Sequence, residues 1–253
     1  MDTLLYAKLT FDSLKHYRNA ILVNLFYSVL SLCIQLIIFY MFIGSDYTQN
    51  DIWHITVIYI IITAFLTNTL SLNKVPIFSD KVVSGAYAVY AIRPIKYYKQ
   101  TIYEQIGLTI CNIFVNIIFI GAMLVCLFSF DTRFNFLLFI ISFIFSVVLS
   151  SQFVTLVYSI TTFTQKNNAP KALLQGVSSL FSGAMIPLFL WPDDLVVFVR
   201  YLPFASIINS PIEVAFNENL YLLLIQISWI VLLKLINHFV TDKVLSKQHH
   251  IGG

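Results

Sequence analysis

Six stretches of this chain stay apolar for about twenty residues or more, and nothing else in the sequence limits the available folds so strongly. A helix rises about 1.5 Å per residue, so about 20 apolar residues cross a hydrocarbon core of roughly 30 Å. The stretches are Ala20–Ile43, Ile52–Leu72, Thr101–Phe128, Phe134–Phe163, Ala172–Leu190 and Leu220–Val240. The third and fourth are long enough to tilt or to project beyond the membrane. The fifth is rich in Gly and Ser. Of all residues, 58% are apolar and only 11% are charged, against about a quarter charged in soluble domains. Such a surface requires lipid as its main solvent. The expected fold is an all-α integral membrane protein with six transmembrane helices, in one domain over residues 1–253.

The loops carry the orientation. With a cytoplasmic N-terminus, the inner segments hold Lys8, Lys15, Arg18, Lys74, Lys81, Arg93, Lys96, Lys99, Lys166, Lys171, Lys243 and Lys247. The outer segments hold only Arg133 and Arg200, and Lys234 lies inside the sixth stretch. That bias places both termini in the cytoplasm. Acids run the other way: Asp46, Asp51, Asp131, Asp193, Asp194, Glu213 and Glu218 fall outside. An odd number of spans would put one end's bases on the wrong side. The first apolar run is too long for the core of a secretory signal, so no cleavage is expected. A net charge of +3 is too small to argue for nucleic acid, and none is expected as a partner.

Three segments outside the spans have character of their own. Residues 1–19 set Leu4, Leu5, Leu9, Phe11 and Leu14 near helical spacing among Lys8, Asp12, Lys15 and Arg18. They read as an interfacial helix, or as a basic flank that only sets topology. The inner loop 73–100 is far longer than a connector needs to be. It contains SDKVVSGAYAVYAI, a short helix with Ser79 as its cap, closed by Arg93-Pro94. A docking surface for another protein and a basic, tyrosine-rich interface belt both fit it. The outer segment 191–219 is apolar but broken by Pro192, Pro203 and Pro211. Short apolar pieces between prolines beside a membrane suggest re-entrant or interfacial helices covering a mouth.

Polar residues inside the spans follow helical spacing. Asn24, Ser28, Ser31 and Gln35 share one face of the first span. Ser142, Ser146 and Ser150 recur each turn in the fourth, continued by Gln152, Thr155 and Ser159. Asn112 and Asn116 are one turn apart in the third. The fifth holds Gly176, Ser178, Ser179, Ser182 and Gly183. Small and hydroxylated residues let helices approach and hydrogen-bond in lipid; the sharper reading is the lining of a pathway. Glu104 and Lys234 lie near inner ends, where the Lys234 amine can snorkel to headgroups. No chain of acids or ladder of arginines suggests a proton-coupled pump or voltage sensor. Cys33, Cys111 and Cys126 read as small core residues.

Catalytic and metal patterns are missing. The sequence has no HExxH, no GxSxG and no GxxxxGK[ST], so no catalytic residue, metal site or ATP loop is expected in this chain.

Two stretches carry a family resemblance. SGAMIPLFLWPDDLVVFVRYLPFASIINSPIEV (Ser182–Val214) resembles a signature of bacterial ABC-2 type permeases, in Ser182-Gly183, Ile186-Pro187, Trp191-Pro192, Leu202-Pro203-Phe204 and Pro211. SGAYAVYAIRPIKYY (Ser84–Tyr98) is similar to the family's pattern before the third helix, with Ile92 where leucine is usual. The resemblance is to the six-helix ABC-2 type ABC transporter permeases often encoded in pairs beside an ATPase. It implies that residues 1–19 form an elbow helix. Lys81, Ser84, Gly85, Ala86, Tyr87, Ala88, Arg93 and Pro94 would belong to a coupling helix that docks on the ATPase. Pro187, Pro192, Pro203, Phe204 and Pro211 would mark extracellular re-entrant helices between helices 5 and 6. Asn24, Ser28, Ser31, Gln35, Ser178, Ser179, Ser182 and Gly183 would face the pathway or a second permease. The implied partners are two ABC ATPase subunits, which bind ATP and Mg, and a second permease, more readily a paralogue than an identical copy.

The expected function is the permease subunit of an ATP-driven exporter for an amphipathic substrate, such as a peptide, lipid or hydrophobic drug, in the bacterial cytoplasmic membrane. The alternative is a membrane sensor or immunity protein that binds a ligand without moving it.

Overall fold

A chain that exposes its apolar side chains to lipid must satisfy its backbone internally, and helices do this best. The protein, as a computed structural model, is described over residues 18–43, 50–70, 97–130, 132–164 and 168–248, and among these no strand occurs. The helices are α1 (Arg18–Ile43), α2 (Asn50–Thr69), α3 (Tyr97–Val115), α4 (Ile117–Ser129), α5 (Phe136–Thr164), α6 (Asn168–Phe181), α7 (Asp193–Arg200), α8 (Pro203–Asn217) and α9 (Tyr221–Gln248). α1, α2, α5 and α9 are each long and apolar enough to cross a membrane. Two bent pairs, α3–α4 and α7–α8, pass the same test together, so four to six crossings fit the described helices. The expected elbow (1–19) and most of the coupling segment (73–100) lie outside the described residues. Arg18 and Asn19 begin α1, and Tyr97–Gln100 begin α3, four residues ahead of the expected start.

The core sits where α5, α8 and α9 meet, with α2 and α4 closing its other side. Ile62, Leu66, Leu149, Phe153, Ile207 and Leu233 are buried there. α1 is peripheral. It packs on α2 and turns Leu22, Phe26, Ile37 and Met41 outward. In lipid that exposure costs nothing. Cys111 is buried and Cys126 half-buried, but Cys33 lies exposed on α1 rather than in a core.

The third span bends by 59° at Asn116. Asn116 leaves helical geometry (φ −93°, ψ 20°), and its Nδ2 donates to the Asn112 carbonyl at 2.8 Å. A side chain that competes for the preceding turn's carbonyl favours such a break. The Asn112 Nδ2 in turn donates to the Thr69 carbonyl at the end of α2, at 3.2 Å.

The expected fifth span, Ala172–Leu190, is only half helical. α6 ends at Phe181 after 14 residues, about 21 Å at helical rise. Gly183 then takes φ +80°, a conformation glycine adopts without steric cost. The chain continues non-helically to a short 3₁₀ turn, Leu188–Leu190, after Pro187.

The proline-broken segment 191–219 folds as α7 and α8, bent by 105°. Pro203 occupies the first turn of α8, where a missing N–H breaks no bond. α8 is a central wedge, touching α2, α5, α6, α7 and α9. Pro203 and Pro211 are buried, and Phe204 stacks near Phe153 with ring centroids 5.1 Å apart. α8 ends on Glu218 in the left-handed region (φ 52°). Asn135 covers that end. Its N–H donates to the Ala215 carbonyl at 2.9 Å, and its Nδ2 donates to Glu218 Oε1 at 3.1 Å.

Candidate functional site: a polar cleft beside a broken helix

Where α6 unwinds, it leaves a cleft of about 270 Å³ against α1 and α2. Tyr27, Ser28, Ser31, Leu32 and Gln35 line it from α1, and Thr63, Ala64, Thr67 and Asn68 from α2. Ser179, Ala184 and Met185 complete the wall from the end of α6 and the turn beyond it. No charged side chain is among these residues. Backbone that leaves the helix at membrane depth is tolerated where it is buried in protein or lines a cavity; the turn at Gly183 has both.

Several lining polar groups are already engaged. The Ser28 Oγ donates to Asn68 Oδ1 at 3.0 Å, joining α1 to α2. The Asn68 Nδ2 and Thr67 Oγ1 donate back to the Ala64 and Thr63 carbonyls at 2.8 and 2.9 Å. The Ser179 Oγ donates to the Gly176 carbonyl at 2.9 Å. Ser31 and Gln35 differ: both are half-buried and face the cleft without a hydrogen bond to any described residue. The cleft therefore offers a free hydroxyl and a free carboxamide between apolar walls.

Of the eight residues expected at a pathway or permease interface, Ser28, Ser31, Gln35 and Ser179 come together here. Ser178 and Ser182 are buried beside it. The Ser182 Oγ accepts the Ala184 N–H at 3.2 Å and shapes the turn. The Asn24 side chain lies outside the described ones. So do all the expected coupling residues, Lys81, Ser84, Gly85, Ala86, Tyr87, Ala88, Arg93 and Pro94. Pro187 is buried just before the 3₁₀ turn, and Pro192 is exposed as the residue preceding α7.

A second polar group supports the cleft from behind. The Tyr59 hydroxyl of α2 lies 3.1 Å from the Gly183 carbonyl and 3.1 Å from Asn209 Oδ1 of α8. The Asn209 Nδ2 donates to Glu213 Oε2 at 2.9 Å. The other Glu213 oxygen meets Arg200 of α7 at 2.8 Å. A Cβ at position 183 would collide with the Tyr59 hydroxyl. This series joins α7, α8, α2 and the turn after α6.

A third polar group fastens the opposite seam. Gln226 of α9 is fully buried. Its Nε2 lies 2.7 Å from the Ser206 carbonyl and 3.1 Å from Ser146 Oγ, and its Oε1 accepts from Ser142 Oγ at 2.8 Å. Lower in α9, the Asn237 Nδ2 donates to the Gln152 carbonyl and to Gln152 Oε1 at 2.9 and 3.0 Å. Ser142 and Ser146 of the α5 stripe thus fasten helix to helix. Sequence reading missed Tyr59, Asn68, Asn209, Gln226 and Asn237, which stand singly rather than in a periodic stripe. A lone amide in an apolar run, as at Gln226, was the available signal.

These features define a multi-pass membrane protein, all-helical over the described residues, with a polar cleft whose described lining is uncharged. Its sequence matches the family described as ABC-2 family transporter protein over residues 22–252, and the chain belongs to that family. The family is a membrane transport component that typically works with ABC ATPases, the ATPase being a separate chain. A comparison with curated proteins finds no match.

Proposed function

We propose that this chain is one permease half of an ATP-driven exporter in the bacterial cytoplasmic membrane, with both termini in the cytoplasm. The observation that carries this reading is the cleft beside α6. An unwound, polar-lined backbone inside apolar helices serves a passing ligand better than it serves packing. The absence of charge among its described lining residues suits an amphipathic cargo such as a peptide, lipid or hydrophobic drug, because a buried unpaired ion is costly. The cleft opens between α1, α2 and α6, so a second permease, more readily a paralogue, would close it from the α1 side. α7 and α8 enter the membrane from outside and return.

Two ATPase subunits, binding ATP and Mg, act on the segment around Ser84–Ala88 and Arg93. ATP drives the cycle through their different affinity for two permease states. Purification of the chain from its native membrane should bring an ATP-hydrolysing partner with it. Arg93→Ala should separate ATP hydrolysis from export while leaving membrane insertion intact. Lost insertion would instead favour the topology-belt reading. A purified complex without ATPase activity would favour the sensor reading.

A further inference from the structure

We propose that Tyr59 is a positioning residue that links the outer segment to the cleft wall by dividing one hydrogen between two acceptors. The Tyr59 hydroxyl has a single hydrogen. The Gly183 carbonyl and Asn209 Oδ1 both lie 3.1 Å away, so neither is favoured by distance. Asn209 presents its oxygen because its Nδ2 is committed to Glu213. Glu213 is itself held by Arg200, on the short helix α7. Ala184 and Met185, the residues following Gly183, line the cleft. The Leu188 N–H also meets the Tyr59 oxygen, so the hydrogen that Tyr59 gives to Gly183 adds a second hold on the wall, and giving it to Asn209 withdraws that hold.

The state of the outer pair decides the division. With Arg200 on Glu213, Asn209 competes for the Tyr59 hydrogen and the wall yields. When α7 lifts and Glu213 turns away, the Asn209 amide is free to rotate. Its Nδ2 then donates to the Tyr59 oxygen, and the hydrogen passes wholly to Gly183. The cleft wall tightens as the outer segment opens. Tyr59 lies nine residues into α2, about 14 Å along the helix, so the link reaches from the outer surface toward mid-membrane. The functional meaning rests on the cleft being the cargo path, but the link itself does not.

The test is the rate at which a small thiol reagent labels Ser31→Cys in the full chain in lipid nanodiscs, with Cys33, Cys111 and Cys126 replaced by alanine. It requires neither cargo nor ATPase. Tyr59→Phe should speed labelling about two- to tenfold, the worth of one hydrogen bond between helices. Glu213→Ala and Asn209→Leu should slow it by a similar factor. In a Tyr59→Phe background, Glu213→Ala should have no effect. Plain loosening would make every variant faster, and that outcome, or an additive double variant, overturns the proposal. If either Glu213→Ala or Asn209→Leu fails to fold, the other carries the test. Ser31→Cys that labels as expected in a chain that moves no cargo would sink the transport reading and leave this one standing.

Discussion

The two sides of the bundle use the same residue types for opposite purposes. Where α5, α8 and α9 meet, serines, glutamines and asparagines are buried and paired across helices: Gln226 with Ser142, Ser146 and Ser206, and Asn237 with Gln152. Where α1, α2 and α6 meet, Ser31 and Gln35 stand half-buried and unengaged beside an unwound turn. Residue type does not separate fastening from lining. Whether the hydrogen-bonding capacity is spent within the chain does. Unspent capacity inside an apolar shell is what a ligand can use.

The comparison breaks first at Gln226. Gln226→Ala removes bonds to two other helices and strands the Ser142 hydroxyl in a dry seam. Interhelical bonds in membranes contribute about 0.6 kcal/mol each, rising to about 1.7, and stranded partners and a cavity add to the loss. A drop of about 2–4 kcal/mol in unfolding free energy should appear in denaturation in mixed micelles. A change below about 0.5 kcal/mol, within the range of inert surface substitutions, would mean the seam is not fastened there.

Gly183→Ala tests the unwound turn. A non-glycine residue in left-handed geometry costs about 1–2 kcal/mol, and the new methyl would meet the Tyr59 hydroxyl. The expected loss is at the upper end of that range, with a lowered melting temperature in detergent. A silent substitution would show that position 183 does not need glycine.

Hydropathy made the membrane class and most spans legible because it reports which solvent a segment meets. It does not report backbone dihedrals. Ala184–Leu190 is apolar enough to extend the fifth run, yet Gly183 and Pro187 have already unwound it. The bend at Asn116 was equally hidden, since Asn112 and Asn116 read as a simple polar stripe. At the cleft, helical spacing found Ser28, Ser31 and Gln35 because they share a face. It could not find Tyr59 or Asn209, whose partners are 124 and 150 residues away in sequence. Such pairings exist only once the helices are assembled.

The lining side should respond the other way from Gln226. Ser31→Ala and Gln35→Leu remove groups that bond to no described residue, so stability should shift by less than about 0.5 kcal/mol. Transport, measured with the assembled complex in proteoliposomes, should change several-fold. A large stability loss with unchanged transport would reverse the assignment of the two sides.

The smallest effect is expected within the fastened side itself, and it separates burial from fastening. Ser159 is as buried as Ser142 and Ser146. Its hydroxyl, however, donates to a carbonyl of its own helix, Thr155 at 2.9 Å. That carbonyl belongs to the interior of α5, where a backbone N–H group already serves it. Removing the hydroxyl strands no donor, and the volume lost is a single oxygen. A back-bonded serine also slightly destabilises and bends its helix, and alanine is the better helix former. Ser159→Ala should therefore be neutral or slightly stabilising, within about 0.5 kcal/mol of zero. Ser142→Ala should be measurably worse, because it leaves Gln226 Oε1 without its donor. Equal losses at the two positions would show that burial alone sets the cost, and that the line drawn between spent and unspent polar groups has no energetic basis.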